Sequence, residues 1–414
     1  MKRKLFFSTL ALLGFSSSVF AGGLLTNTNQ NVTFLRNLAR GASIEIDAAY
    51  TNPAGLAFLK GDGFFISLNN QSAFQTRTIT AEFAPFAGMG GKAIKKFEGK
   101  ITAWIIPNLQ AAYKFKKWVF SANIGAVGGG GTLDYSMGLP SFESAVAITP
   151  AFLSGIPALS TMGFGGYDLE SQLKGSSMII GTQVGVTYTI VKYFSAYLGA
   201  RYNHVSNGYE GHIRNTKLGM SGNLTPVATV VSALSSNPQL AGLVDALAGE
   251  KKLDCSQSGS GIAPIIGLNF NFMGLNVGAK YEFKTALEVK NKTTTNTTGV
   301  ADYDDGAITP YDIPALLTVG AQYNLFSKLV VSAGYHHFFD SDAKMANDKQ
   351  KFINGGVNEY LAGVEYRINK MFLVSCGAQI TRQGVTDDYQ SDMNFSVNSY
   401  SLGFGGAISI KKNI

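Results

Sequence analysis

The chain has 414 residues and a formal net charge of +7; 15% of its residues are charged, 12% are aromatic and 48 are glycine. Average proteins carry about 25% charged residues, and so mild a positive charge argues against a nucleic-acid partner. Beyond the N-terminal leader no run of about 18 apolar residues predicts a membrane-spanning helix. If this aromatic-rich chain crosses a membrane, it therefore does so as a closed β-barrel.

The first 21 residues predict a secretory signal peptide. A basic cluster at 2–4 precedes an apolar stretch over 5–15, and small residues lead to Ala21, after which we expect cleavage. Because three basic residues leave with the leader, the net charge falls from +7 to +4. No cysteine lies near the cleavage position, so the leader is not that of a lipoprotein. The sequence therefore predicts an exported bacterial protein.

Residues 22–61 differ from the rest of the chain, because they are polar, contain glycine and show little strand alternation. Three short motifs follow one another here: Arg40-Gly41-Ala42-Ser43, Asp47-Ala48 and Asn52-Pro53-Ala54-Gly55-Leu56. This segment is expected to form a unit of its own in front of the first strand.

After residue 62 the chain alternates with a period of two. Between Met178 and Ile190, and again between Leu275 and Lys284, apolar residues occupy every second position and mainly glycine or polar residues lie between them. This pattern predicts strands with one apolar and one polar face. About twelve strands are predicted, beginning near 62, 101, 118, 168, 193, 259, 275, 313, 328, 357, 371 and 395. An even number predicts a closed antiparallel barrel with both ends in the periplasm.

Short turns and long connections alternate along these strands. Turns are expected near Lys116, Lys192, Gly274, Ser327 and Lys370, and long connections at 84–99, 137–166, 220–257, 293–307, 340–356 and 385–394. Aromatic residues beside the turns suggest a girdle at one membrane interface, although strand propensity alone also favours aromatic residues. Short periplasmic turns and long outer loops are typical of bacterial barrels.

The expected positions of three residues follow from this strand assignment. Pro107 falls inside the second strand, where it cannot donate to a ladder, and predicts a bulge. Cys255 is expected in a loop and Cys376 on the lipid face of a strand. The two cysteines are therefore not expected to form a disulfide.

Residues 226–249 predict two short amphipathic helices, because apolar residues recur at helical spacing on both sides of Pro238. Exposed apolar surface in an outer loop needs a reason. The loops either pack on one another as a lid or form an apolar groove that receives a ligand, and the two are compatible. The candidate ligand-capture residues are Leu234, Leu240, Leu243, Val244 and Leu247.

The order of the three N-terminal motifs, directly before the first strand, resembles the long-chain fatty acid transport protein (FadL) family, which also includes porins for small aromatic hydrocarbons. The matching residues are Arg40, Gly41, Asp47, Asn52, Pro53, Ala54 and Gly55. The resemblance implies an all-β, antiparallel transmembrane barrel of fourteen strands, with helical outer loops and an N-terminal plug in the lumen. Twelve to fourteen strands are therefore expected.

The resemblance divides the chain into a signal peptide (1–21), a plug or hatch (22–61) and a barrel (62–414) with extracellular loops at 137–166 and 220–257. In the family, the third strand has an inward kink that opens the wall sideways. The third strand here contains Gly128, Gly129, Gly130 and Gly131, and such glycines mark a bulge or bend. They predict either a lateral opening or a flexible run at the outer strand end.

Several charged residues are predicted to point into the lumen: Arg201, Lys280, Glu282, Lys284, Glu365 and Arg367. Basic residues among them either meet a ligand carboxylate or tie the plug to the wall. A general porin, the first alternative function, needs a water-filled lumen narrowed by such charges. The plug and the apolar loops argue against an open pore.

An outer-membrane hydrolase, the second alternative, needs a nucleophile or an activated water beside a base. His336 and His337 lie near Asp340 and Asp342, but adjacent residues of a strand face opposite sides. The acidic residues at 302, 304 and 305 belong either to a divalent-ion site at the lipopolysaccharide surface or to a solvated loop. No catalytic residue, metal site or cofactor is assigned.

The sequence therefore predicts a non-enzymatic outer-membrane channel for passive uptake of hydrophobic compounds such as long-chain fatty acids. On the family resemblance, the outer loops are expected to capture the ligand, which then passes the plug and leaves sideways through the wall. The expected partners are the hydrophobic ligand, outer-membrane lipid and lipopolysaccharide, and the expected state is a monomer.

Overall fold

The computed structural model describes residues 31–410. The predicted signal peptide and residues 22–30 of the predicted plug lie outside this range. The described strands belong to one antiparallel sheet. They are β1 (Gly63–Glu82), β2 (Ile94–Phe115), β3 (Trp118–Tyr135), β4 (Tyr167–Val191), β5 (Phe194–Met220), β6 (Asn223–Pro226), β7 (Lys251–Phe272), β8 (Leu275–Glu282), β9 (Glu288–Asn296), β10 (Ile308–Pro310), β11 (Leu316–Leu325), β12 (Leu329–Phe338), β13 (Asn358–Arg367), β14 (Phe372–Arg382) and β15 (Ser399–Ile408).

Along the wall, β1, β2, β3, β4, β5, β7, β8, β11, β12, β13, β14 and β15 pair in this order. Two short strands lie outside this path. Strand β9 pairs with the first part of β7, whose last part pairs with β8, and β10 pairs with β9. The wall described between residues 63 and 408 therefore has the twelve strands that the alternation predicts. The fourteen strands implied by the family resemblance are not reached along this path.

The two faces of the sheet have opposite chemistry. Outward side chains are apolar and exposed, as for Phe64 and Phe404, which are 85% and 81% exposed, whereas inward side chains such as Asn108, Gln183 and Asn203 are polar and buried. A soluble sandwich would bury its apolar face instead. Apolar residues outside and polar residues inside are the arrangement of a membrane barrel. The predicted all-β barrel architecture is confirmed as a curled, barrel-like sheet.

The five short turns lie at the predicted positions. Lys116, Gly274 and Ser327 have φ angles of 56°, 84° and 59°, and a positive φ is typical of the turns that match the twist of a two-stranded hairpin. Aromatic rings pair beside these turns; the centroids of Trp118 and Tyr188 are 4.5 Å apart. Because neighbouring wall strands are antiparallel and short turns alternate with long connections, the short turns lie at one end of the sheet.

The long connections at the other end contain helices α3 (Pro140–Ser154), α4 (Val227–Ala233) and α5 (Pro238–Ala248). The last two are the predicted pair. Pro238 occupies the first turn of α5, where its missing N–H has no helical partner to lose. The side chain of Asn237 caps this helix by accepting a hydrogen bond from the backbone N–H of Leu240 (3.2 Å).

The predicted position of Cys255 in a loop is wrong. Strand β7 begins at Lys251, inside the predicted loop 220–257, because Leu253, Cys255 and Gln257 continue the inward alternation beyond the predicted strand start. Cys255 is buried and Cys376 is exposed, and neither forms a disulfide. The outward, exposed position of Cys376 on β14 agrees with the prediction.

Residues 31–61, here called the N-terminal segment, lie inside the curled sheet. The segment contains helices α1 (Val32–Arg36) and α2 (Ala48–Thr51) and a 3-10 helix over Pro53–Phe58. Hydrogen bonds join it to β2, β4, β5, β7, β8 and β13. A segment that contacts strands around the circuit has to be enclosed by them.

The first and last wall strands are joined by the N-terminal segment. No ladder between β1 and β15 is present among the described residues, although the sequence predicts closure by strand pairing. Helix α1 lies against both strands: the N–H of Val32 donates to Asn69 of β1 (3.3 Å), and the carbonyl of Leu35 contacts Gly403 of β15. Within residues 31–410, no helix is both long enough and apolar enough to span a membrane.

Candidate functional site

A buried ion pair holds the first motif of the N-terminal segment. Arg40 donates to both carboxylate oxygens of Asp47 (2.7 and 2.8 Å), to Ser43 Oγ (2.8 Å) and to Glu45 (2.8 Å). Burial alone lowers the pKa of the Arg40 guanidinium, but the charge and hydrogen bonds of Asp47 reverse this and raise it. Burial alone raises the pKa of Asp47, whereas Arg40 holds it below its usual value. The pair closes the 40–47 loop.

The third motif fixes the segment to the wall. The side-chain amide of Asn52 hydrogen-bonds the carbonyl of Ser43 (3.0 Å) and the amide of Asn269 (2.6 Å). The carbonyls of Pro53 and Ala54 accept from Thr187 and Ser195 of the wall (2.8 and 2.7 Å). A Cβ atom at Gly55 would lie 2.3 Å from the carbonyl of Ser43. The motif therefore joins the segment's loop to three wall strands.

Glycines on the inward face of the wall let the segment approach closely, a role that sequence reasoning missed. An added Cβ would lie between 1.8 and 2.7 Å from an atom of the segment at Gly278, Gly320, Gly363, Gly377 and Gly403. Gly41 is the segment's own counterpart, since its Cβ position is 3.2 Å from Gly320. The sequence feature that could have revealed this role is the recurrence of glycine at inward positions of successive strands.

The predicted lumen charges form contacts with the segment. Arg201 pairs with Glu282 and donates to Gln183 (2.6 Å), while Lys280 donates to the carbonyl of Tyr50 (3.0 Å). The ring centroid of Tyr50 lies 4.8 Å from the guanidinium carbon of Arg201 and 4.8 Å from Lys280 Nζ. These contacts favour the interpretation that the charges tie the segment to the wall.

Three more predicted lumen residues have different positions. Glu365 is buried and accepts from Arg36 (2.5 Å). Lys284 is only partly buried and pairs with Asp312 (3.0 Å) at the outer end. Arg367 is exposed, so its predicted place in the lumen is wrong: it has the inward register, but it is the last residue of β13 and extends past the enclosed interior.

The wall is interrupted between β2 and β3. Their ladder pairs Thr102 with Thr132 and then resumes at Asn108 and Gly125, so residues 103–107 and 126–131 are unpaired with each other. We call this interruption the β2–β3 gap. Pro107 lies within it, and β2 also shifts register against β1 here, as the predicted bulge requires.

The predicted glycine run forms one side of this gap. Gly129 and Gly130 have φ angles of 67° and 116°, which favour glycine, and β3 shifts register twice against β4 around them. Ala103, Ile106 and Ala126 pack together at the gap. The side chains that line the gap are therefore apolar.

The capture residues divide into two groups. Leu234 and Val244 are buried in an apolar cluster. This cluster, which we call the outer-loop core, joins α3, α4 and α5 to the ends of β3, β4, β5 and β7 that carry the long connections. Leu240 packs against this core, whereas Leu243 and Leu247 are partly exposed. The structure thus shows the lid-like packing, with part of the helix surface left accessible.

Two cavities accompany these elements. A small one of about 30 Å³ lies between the N-terminal segment and β8, β11, β12 and β13, beside Phe34, Tyr50 and His336. A larger one of about 650 Å³ lies among the outer loops, beside Tyr167 and Glu143. His336 contacts Glu359 (2.8 Å) and His337 contacts Asn358 (2.9 Å), and the two rings face opposite sides as predicted.

No protein-family model and no curated protein matches the chain, but solved structures do. A FadL homologue of Pseudomonas aeruginosa has a TM-score of 0.60 at 11% identity, covering 94% of this chain and 88% of that one. The toluene transporter TodX of Pseudomonas putida has a TM-score of 0.56 at 16% identity, covering 96% and 92%. The toluene transporter TbuX of Ralstonia pickettii gives 0.56 at 17%, covering 94% and 91%. The chain has the fold of these transporters.

Proposed function

We propose that the protein is a channel of the bacterial outer membrane through which hydrophobic compounds diffuse passively. The compounds are long-chain fatty acids or molecules of similar apolar character. The outer loops collect them, the N-terminal segment acts as a plug, and they leave sideways through the wall. The fold shared with the toluene transporters and the FadL homologue supports this proposal, as does the apolar outward face of the sheet.

The β2–β3 gap carries the proposal. Unpaired backbone groups in the hydrocarbon of a membrane cost several kcal/mol each, so an interrupted ladder in a barrel wall is an expensive feature. At this gap the lining side chains are small or apolar: Ala103, Ile106 and Ala126. A hydrophobic molecule that leaves here stays in an apolar medium, whereas one that enters periplasmic water loses that stabilisation.

The filled interior argues against a general porin. The N-terminal segment occupies the space inside the wall, and buried ion pairs lie beside it: Arg36 of the segment pairs with Glu365, and Arg201 pairs with Glu282 on the inner face of the wall. A hydrated solute would have to displace these contacts, which would leave charges buried without partners at a cost of about 3–5 kcal/mol each. Water-filled diffusion along the barrel axis is therefore disfavoured.

Reversible closure of the gap tests the proposal. Ala103 and Ala126 would be replaced by cysteine in a chain whose Cys255 and Cys376 are alanine, and a short thiol-reactive cross-linker would then bridge them. The matched control places cysteines at Ala111 and Ala122, which are paired in the intact part of the same ladder. Uptake of a fluorescent fatty acid and of toluene would be measured in proteoliposomes.

Cross-linking at the gap is expected to reduce uptake at least tenfold, whereas the control cross-link leaves uptake unchanged. Surface binding of the fluorescent fatty acid should persist in both. Wild-type uptake rates after complete cross-linking at 103 and 126 would show that the exit lies elsewhere. Failure of the uncross-linked protein to take up either compound would overturn the transport function itself.

A further inference from the structure

The two ends of the sheet differ in charge. At the end with the long connections, exposed cations pair with carboxylates, as Arg214 does with Glu170 (3.0 Å) and Lys351 with Asp348 (2.6 Å). The other end, which we call the turn end, carries basic residues in four of the five short turns and just before β1. The exposed basic residues of the turn end are Lys60, Lys116, Lys117, Lys192, Lys328, Arg367 and Lys370. A single sign of charge therefore dominates this end.

These cations have no anionic partner among residues 31–410. The short turns and the chain just before β1 contain a single carboxylate, that of Asp62, which accepts a hydrogen bond from the backbone N–H of Lys116 (3.1 Å). None of the basic side chains of the turn end forms an ion pair with the part of the chain that the structure describes. Unpaired charges of one sign produce a field that attracts anions to this end.

Exposed apolar side chains alternate with the cations. Lys116 lies in sequence between the exposed rings of Phe115 and Trp118, and its Nζ is 5.0 Å from the ring centroid of Phe115. Phe326, in the same turn as Lys328, is 87% exposed. Such side chains are stable side by side at a boundary, where the apolar groups lie in hydrocarbon while the lysine stems carry their ammonium groups to water. The pattern is typical of a membrane surface.

The distribution of the cations favours lipid over a single docked protein. They lie just before β1 and in the turns that join β2 to β3, β4 to β5, β11 to β12 and β13 to β14, so they surround much of the rim. A docked protein would contact one side of the rim, whereas lipid molecules contact each strand from outside. Anionic lipids match both parts of the pattern, because their phosphates complement the cations and their chains cover the apolar residues.

We propose that the turn end binds the head groups of anionic phospholipids. The phosphates lie beside the basic side chains, and each lysine or arginine near the lipid surface strengthens the attraction by about fivefold. In the proposed function this end faces the periplasm, where the adjoining leaflet of the outer membrane consists of phospholipids. The inference rests on the proposed function for the membrane location alone, and it adds the kind of lipid that surrounds this end of the wall.

Two tryptophans allow a direct test, because they report on opposite ends of the wall. Trp118 lies at the turn end beside Lys116, whereas Trp104 lies on the outward face of β2 towards the long connections, and both are exposed. Trp104→Phe leaves Trp118 as the single tryptophan, and Trp118→Phe leaves Trp104. In vesicles, quenching of each by brominated phosphatidylglycerol or by brominated phosphatidylcholine measures the relative affinity of the two lipids for that position.

The protein with Trp118 alone should bind phosphatidylglycerol about fivefold or more tighter than phosphatidylcholine. Lys116→Gln with Lys117→Gln should reduce this ratio to about two or less, and Lys192→Gln, in the neighbouring turn, should lower it in the same direction. Lys100→Gln is the matched control, because this exposed lysine lies towards the opposite end of β2, and it should leave the ratio unchanged. Salt at about 1 M, where the Debye length is about 3 Å, should also reduce the ratio.

Several outcomes would overturn the lipid site. A ratio near one in the wild-type turn would show that anionic head groups are not recognised, and an unchanged ratio in the double lysine variant or at high salt would show that the cations do not recognise them. Sedimentation with purified peptidoglycan that depends on Lys116 and Lys117, together with a ratio near one, would assign the cations to the cell wall instead. No transported compound is present in these measurements, so failure of uptake would overturn the channel and leave the lipid preference.

Discussion

Replacing Arg40 by methionine is expected to release the N-terminal segment from the wall. Methionine has a similar length, so the change removes the charge and its hydrogen bonds while filling much of the same space. Asp47 is 1% exposed and would retain only Ser43 Oγ, at 2.6 Å, among its side-chain donors. The variant therefore leaves a buried carboxylate without its cation.

The magnitude follows from the burial of the pair. Removing one partner of a buried ion pair costs about 3–5 kcal/mol, which at about 1.36 kcal/mol per factor of ten corresponds to roughly a hundred- to several-thousand-fold change in the docking equilibrium. Docking buries this carboxylate, so the segment, held to the wall by contacts such as those of Asn52, should then be displaced for a measurable fraction of the time. Single-channel conductance in planar bilayers should show openings that the wild type lacks.

The pH dependence has a definite sign. In the wild type, Arg40 holds the pKa of Asp47 below its usual value of about 4, so the pair stabilises docking above that pH and is lost only as the pH falls below it. Without Arg40, burial raises the pKa of Asp47 and the neutral acid is tolerated inside. Openings of Arg40→Met should therefore be rare near pH 4 and increase towards pH 8.

The double variant Arg40→Met with Asp47→Leu is the control, because replacing a buried pair by apolar residues is often neutral. It should be closed at every pH. If Arg40→Met is as closed as the wild type from pH 4 to pH 8, docking of the segment does not depend on neutralising the buried carboxylate of Asp47, and the reasoning from its burial is refuted.

Two further predictions concern packing. Gly320→Ala should also increase channel openings, because its Cβ would lie 2.4 Å from the backbone of Gly41, whereas Gly334→Ala, with 3.5 Å to its nearest neighbour, should not; equal conductance of the two variants would contradict the proposed close approach. Leu234→Ala should destabilise the outer-loop core by about 2–5 kcal/mol and speed protease cleavage of the loops, whereas the partly exposed Leu243→Ala should have a much smaller effect, and equal cleavage rates would argue against the packing.

The strand order, the turns and the paired loop helices were predictable because they depend on local signals. Alternation with a period of two places each strand, and a proline between two apolar runs divides the helices. The start of β7 was missed because the polarity of its outer part is reversed: the inward Leu253 and Cys255 pack in the outer-loop core, while the outward Asp254 and Ser256 are polar. Alternation predicts which side a residue faces but not where the enclosed interior ends, which is why Arg367 was misplaced.

The contacts of the N-terminal segment were not predictable in this way, because they join residues far apart in sequence. Arg36 and Glu365 are separated by more than three hundred positions and meet only when the sheet curls around the segment. Their charges are consistent with several pairings until the register of each strand is known. The inward glycines were visible in the sequence, but their meaning depends on which backbone lies opposite them.

The distribution of charge inside the wall bears on the direction of transport. Arg36, Arg40, Arg201 and Lys280 are neutralised by buried carboxylates, and their contacts place fixed polar groups inside the wall. An apolar molecule that moved along this axis would have to replace those hydrogen bonds with contacts that it cannot make. At the β2–β3 gap it meets small and aliphatic side chains instead. The polar interior and the apolar interruption of the wall together support the proposed sideways exit into the membrane.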